Sequence, residues 1–408
     1  FIMKKIMAVA SWILSAGLLL TGCGSSAEYA TQEIEQETTI RMAVPYDNPY
    51  YETVLTALIE DYMVEHESVR VELEFLPYQN YERTITSMAA NGEQADLILV
   101  DNAYIPMLVQ RGILADIDVW LNQTDLADKL DADMIPNASD NDNLYGCPFL
   151  CWTYELYYDE DKISRDMVTS LASWQELENY ARRSLATGQK MFAIAASDTE
   201  ELSYQFQELL LSENVNLYTL RVAESSETLK GLAELLSIGA FPIECLDWNQ
   251  TDLTRKFAQG AVVTMLNRST QVPFLEKTDP DMNWGVVEMP IQQGKSHIMG
   301  IQSIVVAANA DTAAYDFLEW LMQKEQVRKV ATELNGVAVR TDVRQELEAE
   351  GIEGPVRGQS LQYGGSFQSW PVISETMRSG VRNLLMGSRT PMESLRDMQY
   401  TISQYYVW

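Results

Sequence analysis

The sequence predicts an α/β fold in which mostly parallel sheets are flanked by helices. Between residues 39 and 101, patterns typical of strand, helix, strand, helix and strand follow one another. The third strand contains the unbroken apolar run Leu97–Val100, as expected of a parallel strand buried on both faces. The same alternation returns in the second half, and about 370 residues in all are enough for two domains of ordinary size.

Each element of the first half has a local signal. Thr39–Val44 is a predicted strand, and Val69–Phe75 is a half-buried one because apolar and charged residues alternate along it. Asn48 followed by Pro49 is typical of a helix N-cap and first helical position. Apolar residues at helical spacing mark one face of each helix: Tyr51, Val54, Leu55, Leu58, Ile59, Tyr62 and Met63 in the first, and Tyr81, Ile85 and Met88 in the second.

The second half has the same kinds of signal. Ser173–Glu176 and Thr390–Glu393 are capping-box patterns, and each predicts the start of a helix. Apolar spacing from Tyr315 to Ala331 predicts one long amphipathic helix. The predicted strands are Met191–Ala196, Ala261–Leu266 and Ile301–Ala308.

The N-terminus predicts export from the cytoplasm. Two lysines precede the apolar run Ile6–Leu20, which is shorter than the ~20 residues that a helix needs to span a bilayer. Leu20–Cys23 resembles the lipobox of bacterial lipoproteins, which implies a signal peptide over residues 1–22 and a lipid on Cys23. Residues 23–38 are mostly polar and predict a flexible tether.

The charge excludes several kinds of partner. The chain has 29 basic and 59 acidic residues, a formal net charge of −30, whereas nucleic acid demands a basic surface. Membrane contact is therefore expected through the lipid anchor only. Two histidines, His66 and His297, are too few for most metal sites, so no metal and no cofactor are predicted.

The cysteines leave the disulfide question open. Cys147 and Cys151 are four residues apart, which is ~13 Å in an extended strand and too far for a disulfide. Pro148 between them could bend the segment and bring them closer. With Cys245 the number is odd, so at least one thiol stays unpaired in a monomer.

Motifs of common enzymes are missing from the sequence. It contains no phosphate-binding glycine loop, no Gly-x-Ser-x-Gly elbow and no His-Glu-x-x-His pattern. A glycoside hydrolase with paired carboxylates stays open, because acidic residues are numerous and their spatial distances cannot be read from sequence.

Aromatic and polar residues near the predicted strand ends are the candidate solute contacts. Ligands of open α/β sheets lie beyond the carboxyl ends of strands, and an aromatic ring packs well against the apolar face of a sugar. Trp152 and Trp248 are predicted to stack on sugar rings, and Arg268 either contacts the solute or pairs with acidic residues. Asp47, Asn102, Asn267 and Gln302 are predicted to bind hydroxyls, and Tyr46, Tyr78, Tyr154, Tyr363 and Trp370 are further candidate contacts.

Seven short segments form an ordered series of motifs along the chain: Ala95–Val100, Gly112–Ile117, Leu144–Pro148, Leu156–Asp159, Ser173–Leu177, Phe257–Met265 and Asn335–Arg340. In order and spacing, this series resembles the extracellular solute-binding proteins of ATP-binding-cassette importers, in the sugar-binding group that includes maltose-binding protein. Three positions depart from the family pattern: Asp159 and Val339 stand where asparagine and proline are usual, and Gly300–Ile301 replaces a glycine pair.

The resemblance implies a two-lobed binding protein of the maltose-binding type, a monomer whose cleft closes on a solute and then docks on the membrane subunits of a transporter. It places one lobe at about 39–143 plus 283–335 and the other at about 144–282 plus 336–408, with a hinge between them. Two other functions stay open: a sensor that presents its ligand to a membrane receptor, and a binder of a non-sugar solute.

Overall fold

The computed structural model describes residues 37–141, 143–184, 189–220, 222–291, 296–352, 354–355, 360–363 and 369–405. The signal peptide predicted at 1–22, the lipid site Cys23 and most of the tether predicted at 23–38 lie outside these residues. The first strand begins at Thr38, the last residue assigned to the tether. Among the described residues, no helix is both long and apolar enough to cross a membrane.

Strands and helices alternate along the described chain. The strands are β1 (Thr38–Tyr46), β2 (Val69–Pro77), β3 (Leu97–Asp101), β4 (Ser139–Asp140), β5 (Asn143–Leu144), β6 (Gly146–Asp159), β7 (Lys190–Ala193), β8 (Val262–Arg268), β9 (Trp284–Val287), β10 (Ser296–Val306) and β11 (Ser360–Tyr363). The helices are α1 (Pro49–Glu65), α2 (Tyr81–Ala90), α3 (Ile105–Gln110), α4 (Asp118–Gln123), α5 (Arg165–Ser170), α6 (Trp174–Ser184), α7 (Glu200–Ser212), α8 (Leu217–Leu220), α9 (Glu227–Ser237), α10 (Gln250–Ala258), α11 (Val272–Thr278), α12 (Thr312–Leu321), α13 (Lys324–Glu333), α14 (Thr341–Ala349), α15 (Trp370–Leu385) and α16 (Pro391–Tyr405).

Nine of the described strands form one mixed sheet in the order β2-β1-β3-β10-β6-β8-β7, with β11 beside β10 and β9 beside β6, and β4 pairs with β5 in a separate two-stranded sheet. The outer pairs β1–β2, β1–β3 and β7–β8 are parallel, as predicted. The central strands β10 and β6 instead pair antiparallel with each other and with β3 and β8. The α/β class is confirmed, and parallel pairing is confined to the flanks of the sheet and to β11.

Strand β6 joins two groups of strands. Its residues 146–153 pair with β10, and residues 154–159 pair with β8 and β9. We call β1, β2, β3, β10 and β11 the first group, and β7, β8 and β9 the second group. Every residue of β6 is buried, which explains its almost continuous apolar sequence. The pairing puts β9 in the second group, whereas the predicted boundaries put residues from 283 onward in the first lobe; those boundaries stay a prediction.

The predicted helix starts are confirmed where local chemistry sets them. The side chain of Asn48 accepts hydrogen bonds from the backbone N–H of Tyr50 and Tyr51 at 3.0 and 2.9 Å. At the start of α16, the Thr390 hydroxyl accepts from the N–H of Glu393, whose carboxylate accepts from the N–H of Thr390. These bonds satisfy N–H groups that a helix cannot pair internally.

The single long helix predicted from Tyr315 to Ala331 is wrong, because the chain forms two helices, α12 and α13. Gln323 between them is extended, with φ −63° and ψ 156°. The carbonyl of Met322 accepts a hydrogen bond at 2.8 Å from the buried guanidinium of Arg340. This contact comes from a distant part of the sequence, so helical periodicity could not reveal it.

The three described cysteines are buried thiols. Cys147 and Cys151 lie in β6, an extended strand, as the distance argument assumed. Burial raises the pKa of the Cys147 thiol to about 12, so it stays protonated and unreactive at neutral pH.

Candidate functional site

The carboxyl ends of β1, β2 and β3 lie opposite two segments, residues 197–201 and 247–252. Two pockets open there, one of 310 Å³ that contains Asp47 and one of 170 Å³ that contains Asp101. Tyr78, Gln79 and Thr199 line both pockets, so the pockets are adjoining parts of one cleft. The carboxyl ends of parallel strands are where a solute is expected in an α/β sheet.

Arg268, the last residue of β8, is the buried positive charge of this cleft. Its side chain is 6% exposed, and one guanidinium nitrogen lies 2.9 Å from Asp47 and 3.6 Å from Glu201. The guanidinium also lies 5.2 Å from the ring centre of Trp152, within the range of a cation–π contact. Asp47 follows β1, so this ion pair links the first group of strands to the second.

Two further sets of hydrogen bonds cross the same cleft. Asp47 accepts at 3.0 Å from the Thr251 hydroxyl, through its backbone oxygen, and at 3.0 Å from the Gln271 amide, through its carboxylate. Tyr104, which follows β3, donates at 2.5 Å to Glu200 at the start of α7. The segments that follow β1 and β3 therefore contact the helical segments around α7 and α10 at the two pockets.

Burial raises the pKa of three carboxyl groups around the cleft. Asp101 rises to about 6 because it is desolvated, although the hydrogen bond from Tyr78 at 2.5 Å opposes the rise. Glu201 rises to about 7 through desolvation, opposed mainly by Arg268. Desolvation also raises the pKa of Glu200 to about 7, opposed mainly by Arg378. Each carboxylate thus sits where negative charge is only partly compensated.

Several buried polar atoms near Arg268 form no hydrogen bond among the described residues. Such atoms normally find partners, since burying a polar group unpaired costs roughly 1–3 kcal/mol in proteins. Their concentration at one place marks a site built to contact something polar. They are the hydroxyl of Tyr51, Oδ1 of Asp101, both amide atoms of Asn102, Nε1 of Trp152, Oε1 of Gln250 and Nε of Arg268.

The structure brings most of the predicted contacts together. Asp47 and Tyr78 line the cleft, and Tyr46, 36% exposed, lies at its rim against Phe75. Gln302 pairs in register with Asp101, the last residue of β3. The remaining members are Asn102, Trp152, Tyr154 and Arg268, all buried.

Trp152 and Tyr154 are buried inside the cluster. A side chain at Gly300 would come within 2.2 Å of the Trp152 indole, so the ring lies directly on that glycine. Its edge meets Tyr204 with ring centres 6.0 Å apart. The Tyr154 hydroxyl accepts at 2.8 Å from the Gln250 amide. Both aromatic side chains therefore form part of the packed wall in this conformation.

Three further predicted contacts do not line the pockets and instead pack or hydrogen-bond within the protein. The Asn267 amide donates to the Gln250 carbonyl at 3.1 Å, which ties β8 to α10. Trp248 is half-buried against the core, with the ammonium of Lys256 5.9 Å from a ring centre. Trp370 is buried and donates to Glu200 at 2.9 Å. The side chain of Tyr363 lies outside the described residues.

Sequence reasoning missed Glu200, Glu201, Gln250 and Tyr51. Two acidic residues in the first turn of a helix are ordinary helix chemistry, so Glu200 and Glu201 gave no signal. Tyr51 fits the apolar face of α1, so its spacing predicts a core residue. Only the contact between the two groups of strands reveals these residues as cleft residues.

Comparisons with known proteins agree on one family. The family model described as bacterial extracellular solute-binding protein matches residues 57–353. A Brucella abortus (strain 2308) relative, whose name classes it with binding proteins, is 21% identical over 324 residues, which cover 76% of this chain and 77% of the relative.

Solved structures show the same fold. T. maritima MalE3 with maltose bound aligns with a TM-score of 0.74 at 17% identity and covers 90% of this chain and 100% of its own. The GacH receptor of Streptomyces glaucescens GLA.O, studied unliganded and with acarbose, aligns with a TM-score of 0.75 at 17% identity and the same coverage. These likenesses establish the two-lobed binding-protein fold.

Proposed function

The chain belongs to the bacterial extracellular solute-binding proteins, and on that premise we propose that it is the lipid-anchored binding subunit of an ATP-binding-cassette importer. It captures a mono- or oligosaccharide in the cleft between its lobes and delivers it to the membrane subunits. The lobes are those proposed above, at about 39–143 plus 283–335 and 144–282 plus 336–408.

The observation that carries this proposal is the cluster of buried, unpaired polar atoms beside aromatic rings. A sugar offers many hydroxyls that both donate and accept, so one solute can satisfy the Asn102 amide, the Gln250 oxygen and the Trp152 indole N–H together. Tyr46 and Tyr78 at the pocket walls provide the flat apolar faces that sugar C–H groups pack against. The two solved relatives, with maltose and with acarbose, support a carbohydrate.

The position of the cluster also suits a protein that reports occupancy by closing. Asp47, which follows β1, reaches Arg268 of β8, and Tyr104, which follows β3, reaches Glu200 of α7. A solute that contacts both lobes stabilises only the closed form, and so shifts the population towards it. The membrane subunits can then distinguish loaded from empty protein.

The proposed anchor is the lipid on Cys23, which lies outside the described residues. The family is extracellular, and the tether at 23–38 would hold the binding lobes clear of the membrane. The acidic charge of −30 suits a soluble body kept away from anionic lipid headgroups.

A thermal-shift screen of the purified chain tests the proposal. The panel contains mono- and oligosaccharides, amino acids, peptides and polyamines. A true solute at one hundred times its dissociation constant stabilises the folded state by about 2.7 kcal/mol, so the melting temperature rises. Stabilisation by sugars supports the proposal, whereas stabilisation by non-sugars alone would overturn the carbohydrate assignment. If no small molecule of the panel raises the melting temperature, the sensor or partner-binding function is favoured.

We propose binding without turnover. Buried carboxyl groups with raised pKa, such as Asp101 and Glu201, are also what a glycosidase uses as general acid. The sugars of the screen are therefore analysed after incubation. Unchanged sugar supports a binding protein, and accumulating hydrolysis products would instead identify a surface glycoside hydrolase.

A further inference from the structure

The cleft is far more acidic than the rest of the chain. Nine of the 21 residues that line the two pockets are acidic, against 59 of 408 in the sequence. Two other pockets of the described residues, one beside α14 and one beside β9, each carry one acidic and one basic residue. The acidity is therefore a property of this cleft and is not explained by the overall charge.

The positive charges in and around the cleft are already paired. At the smaller pocket, Arg378 lies 2.9 Å from Asp198 and 3.1 Å from Glu200, and Arg83 lies 3.5 Å from Glu82. The larger pocket is lined by four acidic residues and, among its described lining residues, by no basic one. Arg268 behind it is shared between Asp47 and Glu201. Negative charge is left over in both pockets.

Asp101 is a buried carboxylate with incomplete compensation, because burial disfavours its charged form more than Tyr78 and Arg268 favour it. It is 5% exposed, lines the smaller pocket and gives one oxygen to the neutral hydroxyl of Tyr78. Its other oxygen forms no hydrogen bond of ordinary geometry among the described residues. The amide of neighbouring Asn102, 4% exposed, also has both atoms unpaired. A buried carboxylate oxygen without a donor is suited to accept from a cation.

The aromatic rings at this place fit the same ligand. Tyr78, Tyr81 and Tyr104 line the pocket that contains Asp101. The face of a tyrosine ring attracts an ammonium group, with about 0.5–2 kcal/mol gained as the site loses water. Burial raises the pKa of Asp101 to about 6, so the carboxylate is mostly ionised at neutral pH and gains from a nearby positive charge.

We propose that the solute carries a protonated amine, which Asp101 binds in the smaller pocket. This inference rests on the proposed function and narrows it to a carbohydrate with at least one free amino group. The shared chemistry is an alkylammonium group, which amino sugars and polyamines both offer. Neutral and N-acylated sugars lack it and are selected against.

Matched pairs of sugars test the inference by calorimetric titration of the whole purified chain at pH 6.5. The probes are glucosamine and its β-1,4-linked oligomers, each compared with the N-acetylated and the 2-hydroxyl counterpart of equal length; maltose and spermidine complete the set. We expect the amine form to bind at least tenfold more tightly than its neutral counterparts. Its affinity should fall as sodium chloride is added.

Two charge-removing variants assign the effect to the pocket. D101N is expected to lower affinity for the amine at least tenfold and to bring it close to that of the neutral twin. E375Q, at an exposed residue of the same pocket, is expected to cause a smaller loss without disturbing the core. D397N, at an exposed residue of α16 that pairs with Arg389, is the matched control and should change nothing.

Each outcome decides between the claims. Equal or tighter binding of neutral sugars would overturn the amine inference and leave the proposed carbohydrate function intact. Binding of spermidine without any sugar would keep the amine and overturn the carbohydrate. An absence of binding by every probe would contradict both.

Discussion

Replacing Arg268 by methionine should destabilise the protein strongly. The side chain is 6% exposed and its ion pairs with Asp47 and Glu201 are likewise buried, at 12% and 6% exposure. Removing one partner of a buried pair typically costs about 3–5 kcal/mol, because the remaining charge is left without compensation. We expect this loss in the free energy of unfolding at pH 8, measured by urea titration with tryptophan fluorescence.

The loss should shrink at lower pH. The pKa of Glu201 is about 7 and that of Asp101 about 6 even with Arg268 present, because both groups are desolvated. Without the guanidinium, both pKa values rise further, so these groups take up protons instead of remaining as buried charges. One pKa unit corresponds to about 1.4 kcal/mol, so the cost at pH 5 should be smaller by roughly 1–2 kcal/mol.

A surface arginine provides the control. Arg389 pairs with Asp397 at 2.8 Å, but the two side chains are 47% and 57% exposed. R389M should cost no more than about 1 kcal/mol, as is usual for exposed pairs. Combining D47N with R268M should cost less than the sum of the single variants, since they share one interaction. If R268M costs as little as R389M, Arg268 is not the buried charge that joins the two groups of strands.

Four further outcomes are expected. G300A should lower the free energy of unfolding by about 1–3 kcal/mol in thermal melts, because the added methyl group would lie 2.2 Å from the Trp152 indole; wild-type stability would contradict that packing. W152A should cost about 3–5 kcal/mol and weaken solute binding, since the ring is 1% exposed; weaker binding with full stability would place the ring in an open cleft instead. Raising the pH from 5 to 8 should lower the melting temperature. Asp101 and Glu201 have folded-state pKa values of about 6 and 7, above their ordinary 3.8 and 4.5, so the folded state binds more protons and loses stability as pH rises through this window. A melting temperature that does not change with pH would refute the burial of these two carboxyl groups. C23S should abolish incorporation of a labelled fatty acid into the protein, whereas labelling that persists would exclude a lipid on Cys23.

Elements set by neighbours in sequence could be predicted, and elements set by distant contacts could not. Asn48 and Thr390 cap their helices with bonds to residues within three positions, so their patterns sufficed. At the break between α12 and α13, the Met322 carbonyl accepts from the guanidinium of Arg340, a contact 18 residues apart that helical periodicity does not encode. Antiparallel pairing of β6 with β10 depends on contacts between residues more than 140 positions apart, which periodicity does not encode.

The same distinction between local and distant contacts holds for the residues of the candidate site. Asp47, Tyr78 and Asn102 follow successive strands, and the topology of an α/β sheet alone places them at one edge. Asn267 and Trp370 have suitable side chains, but one supports α10 and the other Glu200. Glu200 and Glu201, at the start of α7, reach the cleft through contacts with Tyr104 and Arg268, which are distant from them in sequence. The sequence therefore predicted which kinds of side chain line the cleft better than it predicted which residues they are.

The central claim is that the cleft binds one solute and releases it unchanged. Isothermal titration calorimetry with the sugar that raises the melting temperature most, followed by mass spectrometry of the sugar recovered after denaturation, tests it directly. The account predicts saturation at one sugar per chain and a recovered mass equal to that of the sugar added. Binding that persists in R268M with unchanged affinity, or recovery of a cleaved product, would contradict it.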